Sequence, residues 1–243
     1  MSAARSYPMA GIVLPAAGGA TASPSWGESD RRMVQSGWVM SLAALTIVRE
    51  LRYDPDIKKL VALPVAEVAS LRGPALAHLK QKTLAQGERA VLVAPGANSS
   101  AVTADVELTI AMPPTPFRLS FGALGAPDGG ISAQLACSPT TAGKPGACTL
   151  FAPSGRPGQK TRQAFPLKPG ENSTELRVLV DKVVVEIFAG GGRAVRTVAA
   201  KGGVDATQAA VWVEAEAGNV TVSGAVWGMG CGWLDGPDQL GLE

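Results

Sequence analysis

The sequence predicts an all-β protein built around an antiparallel β-sandwich. Short apolar runs alternate with turn residues, and the 243-residue chain has 29 glycines and 18 prolines, which is typical of strands joined by turns. No stretch alternates strand with helix in the way that an α/β fold requires. Roughly nine to eleven strands at this spacing favour a sandwich. With 46% hydrophobic residues, the chain can bury a sizeable core in one large or two modest domains.

The most regular stretch of the chain runs from Leu176 to Thr197. Its apolar residues recur with a period of two on both sides of Asp181-Lys182, a polar pair suited to a turn. Three glycines at positions 190–192 form a second turn, because only glycine takes several positive φ values in succession without strain. The stretch therefore predicts an antiparallel meander of three strands.

The other elements are predicted from the same signals. Residues 1–24 show no usable period, and the turn at Asp54-Pro55-Asp56 separates two short strands. A helix is predicted from Pro64 to Arg72, with proline at its first position and Gly73 as its stop. Residues 73–88 are expected to be a connector that can hold one more helical turn at 75–80, and the chain after Gly228 is expected to fray. The strands predicted outside the meander are 37–44, 47–53, 59–63, 90–93, 101–111, 117–121, 131–137, 148–151, 163–167, 209–215 and 220–227.

The cysteines and the single histidine exclude a structural zinc site. Cys137, Cys148 and Cys231 include no C-x-x-C pair, and His78 has no second histidine to join it. We interpret His78 as a histidine that is either on the surface or satisfied by hydrogen bonds. Cys137 and Cys148 flank a loop-like step, and two alternatives stay open for them: a disulfide in an oxidising compartment, or two reduced thiols.

Signals for secretion are weak in the sequence. Met9 to Ala20 is weakly apolar and ends near a small-x-small triplet, but Pro8 and Pro15 interrupt it and Arg5 is its only positive charge. A ragged N-terminus, or the start of an incomplete chain, is favoured over a signal peptide. Three sequons for N-glycosylation matter only if the chain is secreted; their acceptors are Asn98, Asn172 and Asn219.

Several partner classes are not expected. The net charge is +2, only 17% of residues are charged, and no basic run occurs, so nucleic acid is an unexpected partner. No apolar run reaches the roughly 18 residues that a membrane span needs. No motif for a cofactor or a metal ion is present.

Three groups of segments, taken together, resemble glycoside hydrolase family 32, which comprises invertases, fructan hydrolases and fructosyltransferases. The segments that resemble the signature of that family's C-terminal β-sandwich are Leu176-Arg177-Val178-Leu179-Val180-Asp181, Val185-Glu186-Ile187-Phe188 and Gly191-Gly192-Arg193-Ala194-Val195. Residues 210–213, 218–222 and 226–227 resemble its last two strands. Residues 26–30, 37–38, 49–51 and 63–65, with Glu67 and Leu71-Arg72, resemble the final propeller strands and the connector between domains.

The resemblance implies a jelly-roll or concanavalin-like sandwich preceded by an incomplete propeller blade. It divides the chain into an irregular N-terminus (1–24), a remnant of the last blade (25–63), a linker with a short helix (64–88), the sandwich (89–229) and a tail (230–243). Trp26-Gly27-Glu28-Ser29-Asp30 suggests the plant-type subgroup. Two positions depart from the family pattern, with Val48 in place of a proline and Leu63 in place of a tryptophan.

The resemblance also implies that the catalytic residues lie elsewhere. The family's enzymes carry a nucleophilic aspartate, a second aspartate in Arg-Asp-Pro and an acid/base glutamate in Glu-Cys, all in an N-terminal five-bladed propeller. None of these motifs is present, since Arg52-Tyr53-Asp54-Pro55 has an inserted tyrosine and no glutamate precedes a cysteine. We therefore predict no catalytic, cofactor or metal site in this chain.

Asp181 and Glu186 are the carboxylates that could be taken for a catalytic pair. Retaining glycosidases need two carboxyl groups about 5–5.5 Å apart. We instead expect Asp181 to cap its turn and Glu186 to form an ion pair with Arg177 or Arg193.

The expected function is that of the C-terminal portion of a family 32-like protein, supporting a propeller without catalysis of its own. By resemblance, its partners are β-fructoside sugars, a missing propeller domain or a second copy of the chain, and its compartment is extracellular or vacuolar. The alternative is a stand-alone carbohydrate-binding or interaction module, and a fragment with no independent role is a third option.

Sugar binding would use exposed aromatic rings. We expect Trp212 and Trp227 to belong to the core and Trp38 to pack in the blade remnant, which leaves Trp26 and Trp233 as the other candidates.

Overall fold

The structure, a computed structural model, describes residues 6–8, 12–15, 31–39, 44–96, 102–123, 131–153, 160–182, 184–199 and 209–230. Every strand pair in these ranges is antiparallel, and one short 3₁₀ helix, Ala66–Leu71, separates two groups of strands. The all-β prediction is confirmed. The strands are β1 Ser6–Pro8, β2 Ile12–Pro15, β3 Arg31–Gln35, β4 Gly37–Val39, β5 Ala44–Leu45, β6 Arg49–Asp54, β7 Lys59–Pro64, β8 Arg72–Leu84, β9 Arg89–Val93, β10 Thr103–Ala111, β11 Phe117–Ala123, β12 Ile131–Ser138, β13 Ala147–Pro153, β14 Lys160–Pro166, β15 Ser173–Asp181, β16 Val184–Ala189, β17 Ala194–Ala199, β18 Val211–Ala217 and β19 Val220–Met229.

Two six-stranded sheets form the sandwich. The first has the order β17-β16-β15-β10-β19-β8, and the second has the order β14-β13-β12-β11-β18-β9. Their inner faces share one apolar core, because alternate residues of each strand point inward. In β10, for example, Val106, Leu108 and Ile110 are buried in this core, while Asp105 and Glu107 point to the other face. Burying a side chain of this size contributes about 1.5–3 kcal/mol.

The first sheet is covered on its outer face as well. All six residues of β16 are buried, whereas a sheet with one solvated face would show alternation. The cover is a second apolar cluster in which Val68 of the 3₁₀ helix packs with Leu179 and Phe188, joined by Ile47 and Val65. The segment before the sandwich thus lies directly on the meander.

That segment contains a four-stranded blade sheet of order β2-β3-β6-β7. Cross-strand partners share a face of a sheet, so the pairs Met33–Leu51, Leu51–Ala62 and Tyr53–Leu60 define one side. We name this side, made of Met33, Leu51, Tyr53, Leu60 and Ala62, the apolar blade face.

The predicted connector at 73–88 is wrong. Arg72–Leu84 is a 13-residue edge strand that pairs with β19, with several shifts of register. Its alanines, leucines and lysines are good helix formers, and most of its side chains are exposed, so no period of two marks it. Backbone pairing with β19 overrides the local propensity. The predicted helix is present as the shorter 3₁₀ helix Ala66–Leu71. Pro64 is the last residue of β7 and not, as predicted, the first residue of the helix.

The N-terminal predictions also need correction. Residues 1–24 were expected to be irregular, yet they include β1 and β2, which pair with β4 and β3. Strands of three or four residues are too short to show a period. The predicted strand 37–44 is replaced by the pair β4 and β5. At the other end β19 continues to Met229, and the expected tail beyond residue 230 lies outside the described residues.

Candidate functional site

Glu186 lies at the centre of the contact between the sandwich and the preceding segment. β16 places it on the outer face opposite Leu179, where only 3% of the residue is exposed. Its carboxylate accepts hydrogen bonds from the backbone N–H of Ile47 and from the Arg49 guanidinium, with Arg49 Nε 3.1 Å from Oε2. Arg49 also donates to Thr197 Oγ1 at 2.7 Å. One buried carboxylate therefore joins β16, β17 and the start of β6.

Burial raises the pKa of the Glu186 carboxyl above its ordinary value, although the Arg49 charge and the hydrogen bonds from Arg49 and Ile47 act in the opposite direction. The sequence-based expectation of a partner at Arg177 or Arg193 is wrong. Arg177 pairs with Asp105, and Arg193 pairs with Glu171.

Asp181 stands apart from this arrangement. It ends β15 opposite Val184 and is exposed, as expected for a residue beside a turn. Glu186 is enclosed by Arg49 and the apolar cluster, so the two carboxylates lie in different environments.

A second charged cluster joins three strands of the first sheet. Asp105 of β10 has no exposed side-chain surface, and its carboxylate binds Arg72 from β8 and Arg177 from β15, each at 2.7 Å. Glu107 binds the same two arginines but is 42% exposed. The Arg72 guanidinium carbon lies 3.9 Å from the centre of the Trp227 ring, a cation–π distance. Sequence reasoning missed this cluster, because nothing in the chain links residues 72, 105 and 177.

Beside this cluster lies a cleft of about 430 Å³. Its polar lining comes from Glu107, Thr109, Glu175 and Arg177, and its aromatic lining from Phe188 and Trp227. Gly191, Gly192 and Gly224 also line it, together with Leu63 of β7. Carboxylates, a guanidinium and rings around a partly apolar cleft are groups that bind hydroxyl-rich ligands.

The aromatic candidates divide between core and surface. Trp212 is 5% exposed, under the Arg89 guanidinium, in agreement with the expectation that it is buried. Trp227 is only partly buried and lines the cleft, so it does not belong to the core. Trp26, Trp233 and the side chain of Trp38 lie outside what the structure describes.

The cysteines and the histidine form no metal site among the described residues. Cys137 and Cys148, directly opposite each other on β12 and β13, are joined by a disulfide, while Cys231 lies outside the described residues. His78 is exposed on the edge strand β8. Over the described ranges, no group of three or more His, Cys, Asp or Glu side chains is placed to hold a metal ion. No helix within those ranges is long and apolar enough to cross a membrane.

Comparison with known proteins returns a family and a set of related folds. The family model described as "Glycosyl hydrolases family 32 C terminal" matches residues 146–228. No sequence among curated proteins matches the chain.

Three solved structures illustrate the likeness in fold. Fructan 1-exohydrolase IIa from Cichorium intybus has a TM-score of 0.69 at 17% identity, over 94% of this chain and 48% of its own. The β-fructofuranosidase of Aspergillus kawachii has a TM-score of 0.60 at 16% identity, over 93% of this chain and 46% of its own. Exo-inulinase from Aspergillus awamori has a TM-score of 0.58 at 15% identity, over 83% and 41%.

The present chain spans about half the length of the structures it matches. The family model and the fold agree with the resemblance found in the meander and in the last two strands. Residues 146–228 therefore match the C-terminal domain of glycosyl hydrolase family 32, and they lie within a larger antiparallel β-sandwich.

Proposed function

We propose that the chain is the supporting, non-catalytic C-terminal module of a family 32-like β-fructosidase, and that its blade sheet docks onto propeller blades that carry the chemistry. The observation that carries this proposal is the apolar blade face. Tyr53 and Leu60 are cross-strand partners that are 62% and 63% exposed, and Met33 on the same face is 48% exposed.

The exposure is concentrated in the blade segment. Among the described residues, the other large apolar side chains that are similarly exposed are Leu45 and Val48, which lie in the same segment, and Val91 in the sandwich. An exposed apolar sheet face marks a site of association, and blades of a propeller pack face to face around their axis. The face therefore suits a neighbouring blade.

The attachment of the blade sheet to the sandwich supports the same proposal. Glu186 holds Arg49 and the Ile47 backbone, and Gly192 O accepts a hydrogen bond from Ala62 N at 3.1 Å. These contacts hold the blade sheet at the first residue of β6 and along the outer edge of β7, while Tyr53 and Leu60 stay exposed toward the opposite end of the two strands. The sandwich would then act as a rigid base for a propeller.

Mixing the purified chain with a separately expressed propeller half of a family 32 fructan hydrolase tests the docking. We expect a one-to-one complex by size-exclusion chromatography with light scattering, lost in the double variant Tyr53→Gln, Leu60→Gln. Val91→Gln is the matched control, since Val91 is 51% exposed on the sandwich, and it should bind normally. Equal binding by all three chains would contradict docking through this face.

A second candidate function, binding of oligosaccharides by the sandwich itself, is favoured by the cleft. Its lining combines the partly exposed ring of Trp227 with the carboxylates of Glu107 and Glu175, and the related solved structures include a fructan exohydrolase and an exo-inulinase.

Titration calorimetry with fructo-oligosaccharides separates this candidate from the first. Saturable binding that is lost in Glu175→Gln and in Trp227→Leu, but kept in the buried control Trp212→Phe, would support a sugar-binding cleft. Absence of heat with the wild-type chain would contradict it.

A further inference from the structure

One end of the sandwich, which we call the sequon pole, brings together features that were separate in the sequence. At this end the last residue of β10, Ala111, pairs with Ser173 of β15 and Thr221 of β19. Ser173 and Thr221 belong to the sequons of Asn172 and Asn219, so both acceptor asparagines lie at the same end of the sheet, at the starts of the two strands that flank β10. Asn98 lies outside the described residues.

Both acceptor side chains are placed to carry a bulky polar group. Asn172 and Asn219 are exposed, in the short connections that precede β15 and β19. The backbone at Asn172 is held by a hydrogen bond from Met112 N to its carbonyl oxygen at 2.9 Å. Asn219 Oδ1 accepts a hydrogen bond from Gln86 N at 3.3 Å. An N-linked sugar replaces a hydrogen on Nδ2 and leaves Oδ1 intact, so this contact is compatible with modification.

The disulfide at the same end indicates an oxidising compartment. Cys137 pairs across the sheet with Phe117, and Gly218 packs against Pro116 and Phe117, which places the Cys137–Cys148 bond at the sequon pole. Disulfides persist in secreted and lumenal proteins and are rare in reducing compartments. Asn-x-Ser/Thr glycosylation occurs in the same secretory compartments.

Thr174 supplies an independent observation. It is 1% exposed, and its Oγ1 has no hydrogen-bond partner in the described part of the chain. A buried hydroxyl without a partner is less favourable than the methyl group of valine at the same place. Folding therefore gives no reason for a hydroxyl at position 174, whereas the sequon of Asn172 requires one.

We infer that Asn172 and Asn219 are N-glycosylated and that the sequon pole is the glycan-bearing end of the sandwich. An oligosaccharyl transferase reads the sequon in the unfolded chain, and the co-reactant is a polyprenyl-diphosphate-linked oligosaccharide. A bond forms between Nδ2 and the anomeric carbon of the first sugar, the polyprenyl diphosphate leaves, and the amide loses one proton. The glycans then project from the end of the sheet.

The test uses the full chain secreted from a eukaryotic host, with site occupancy measured by peptide mass spectrometry before and after treatment with an N-glycanase. We expect glycans at both positions, one of which disappears in Asn172→Gln and the other in Asn219→Gln.

Position 174 offers a matched pair of variants. Thr174→Ser keeps the sequon and should keep the glycan at Asn172. Thr174→Val removes the sequon and should lose that glycan. When both chains are deglycosylated, the melting temperature of Thr174→Val should equal or exceed that of wild type. Folded, secreted wild-type chain with unmodified Asn172 and Asn219 would overturn the inference. A Thr174→Val chain less stable than the deglycosylated wild type would overturn the argument that the hydroxyl serves only modification.

Discussion

At the scale of single residues, the chain shows that a family signature residue can be structural. Glu186 belongs to the segment that resembles the family signature, and a buried carboxylate with a raised pKa is a common mark of an acid catalyst. Its contacts give a different explanation. The carboxylate is enclosed by Arg49 and the backbone of Ile47, so both of its oxygens are already engaged in holding the blade segment.

Arg49→Met should therefore destabilise the chain. The substitution leaves the 3%-exposed Glu186 without its counter-charge, and removing one partner of a buried ion pair costs about 3 kcal/mol. Arg118→Met in the sandwich is the control, because the Arg118 side chain is 54% exposed and its partner Glu216 is 28% exposed, and such pairs contribute under about 1 kcal/mol. Urea unfolding of both variants measures the difference, and equal losses would show that burial of Glu186 is not the cause.

The raised pKa of Glu186 predicts a specific dependence of stability on pH. Since the folded state binds this proton more tightly than the unfolded state, the free energy of unfolding falls as pH rises from the ordinary value of 4.5 through the higher folded pKa, and is constant above it. Glu186→Gln removes this titration. We therefore expect the free energy of unfolding of wild type minus that of Glu186→Gln to fall as pH rises through that window.

If this difference in the free energy of unfolding instead rises with pH, the effect of the Arg49 charge on the pKa of Glu186 is larger than the effect of burial. In Arg49→Met the opposing charge is absent, so the pKa of Glu186 should rise further and the decline should extend to higher pH.

Asp105 has the corresponding role in the first sheet. Asp105→Asn removes the charge that two partly buried arginines share, and we expect a loss of about 3 kcal/mol. Glu107→Gln is the control, because Glu107 binds the same arginines from a 42%-exposed position and should cost under about 1 kcal/mol. Thermal or chemical unfolding of the two variants measures whether Asp105 contributes more to stability than Glu107.

At the scale of elements, the glycine turn of the meander is more than a connection between strands. Gly192 has φ of +80°, and a Cβ added there would collide with the carbonyl of Ala62 in β7. Gly191 has φ of +63° and open space around it. The turn thus approaches the backbone of the blade sheet at one position only.

Gly192→Ala should loosen the blade sheet from the sandwich. Backbone strain at positive φ costs about 1 kcal/mol in either variant, and the collision with Ala62 adds about 1–3 kcal/mol at position 192 alone. We expect Gly191→Ala to lose only the smaller amount, and limited proteolysis should cut the blade segment faster in Gly192→Ala. Equal proteolysis of the two variants would show that contact with Ala62 does not hold the blade sheet.

The elements also show how far sequence could predict the fold. The three strands and two turns of the meander were predicted correctly, because alternating apolar residues and three consecutive glycines are local signals and the tertiary structure agrees with them. β8 was not, because its helix-forming residues become a strand only by pairing with β19. The partner of Glu186 could not be found either, since Arg49 is 137 residues away along the chain and the pairing depends on where the blade sheet lies. The cleft and the Asp105 cluster depend on tertiary structure in the same way.

At the scale of the whole molecule, the placement of carboxylates predicts that the chain alone does not hydrolyse sucrose or inulin. Retaining hydrolysis needs two carboxyl groups about 5–5.5 Å apart around the sugar, one of them with a pKa raised enough to act as an acid. Glu186 has the raised pKa but is engaged by Arg49, and Asp181 is exposed at a turn.

The cleft offers Glu107 and Glu175 instead, and the Glu107 carboxylate is already bound to two arginines. We therefore expect sugar release by the purified chain to equal that of a no-enzyme blank, with a full-length family 32 invertase as positive control. Turnover lost in both Asp181→Asn and Glu186→Gln would show that the meander is catalytic after all. Turnover lost in Glu107→Gln and Glu175→Gln would place catalysis in the cleft, and either result would overturn the supporting role proposed for this module.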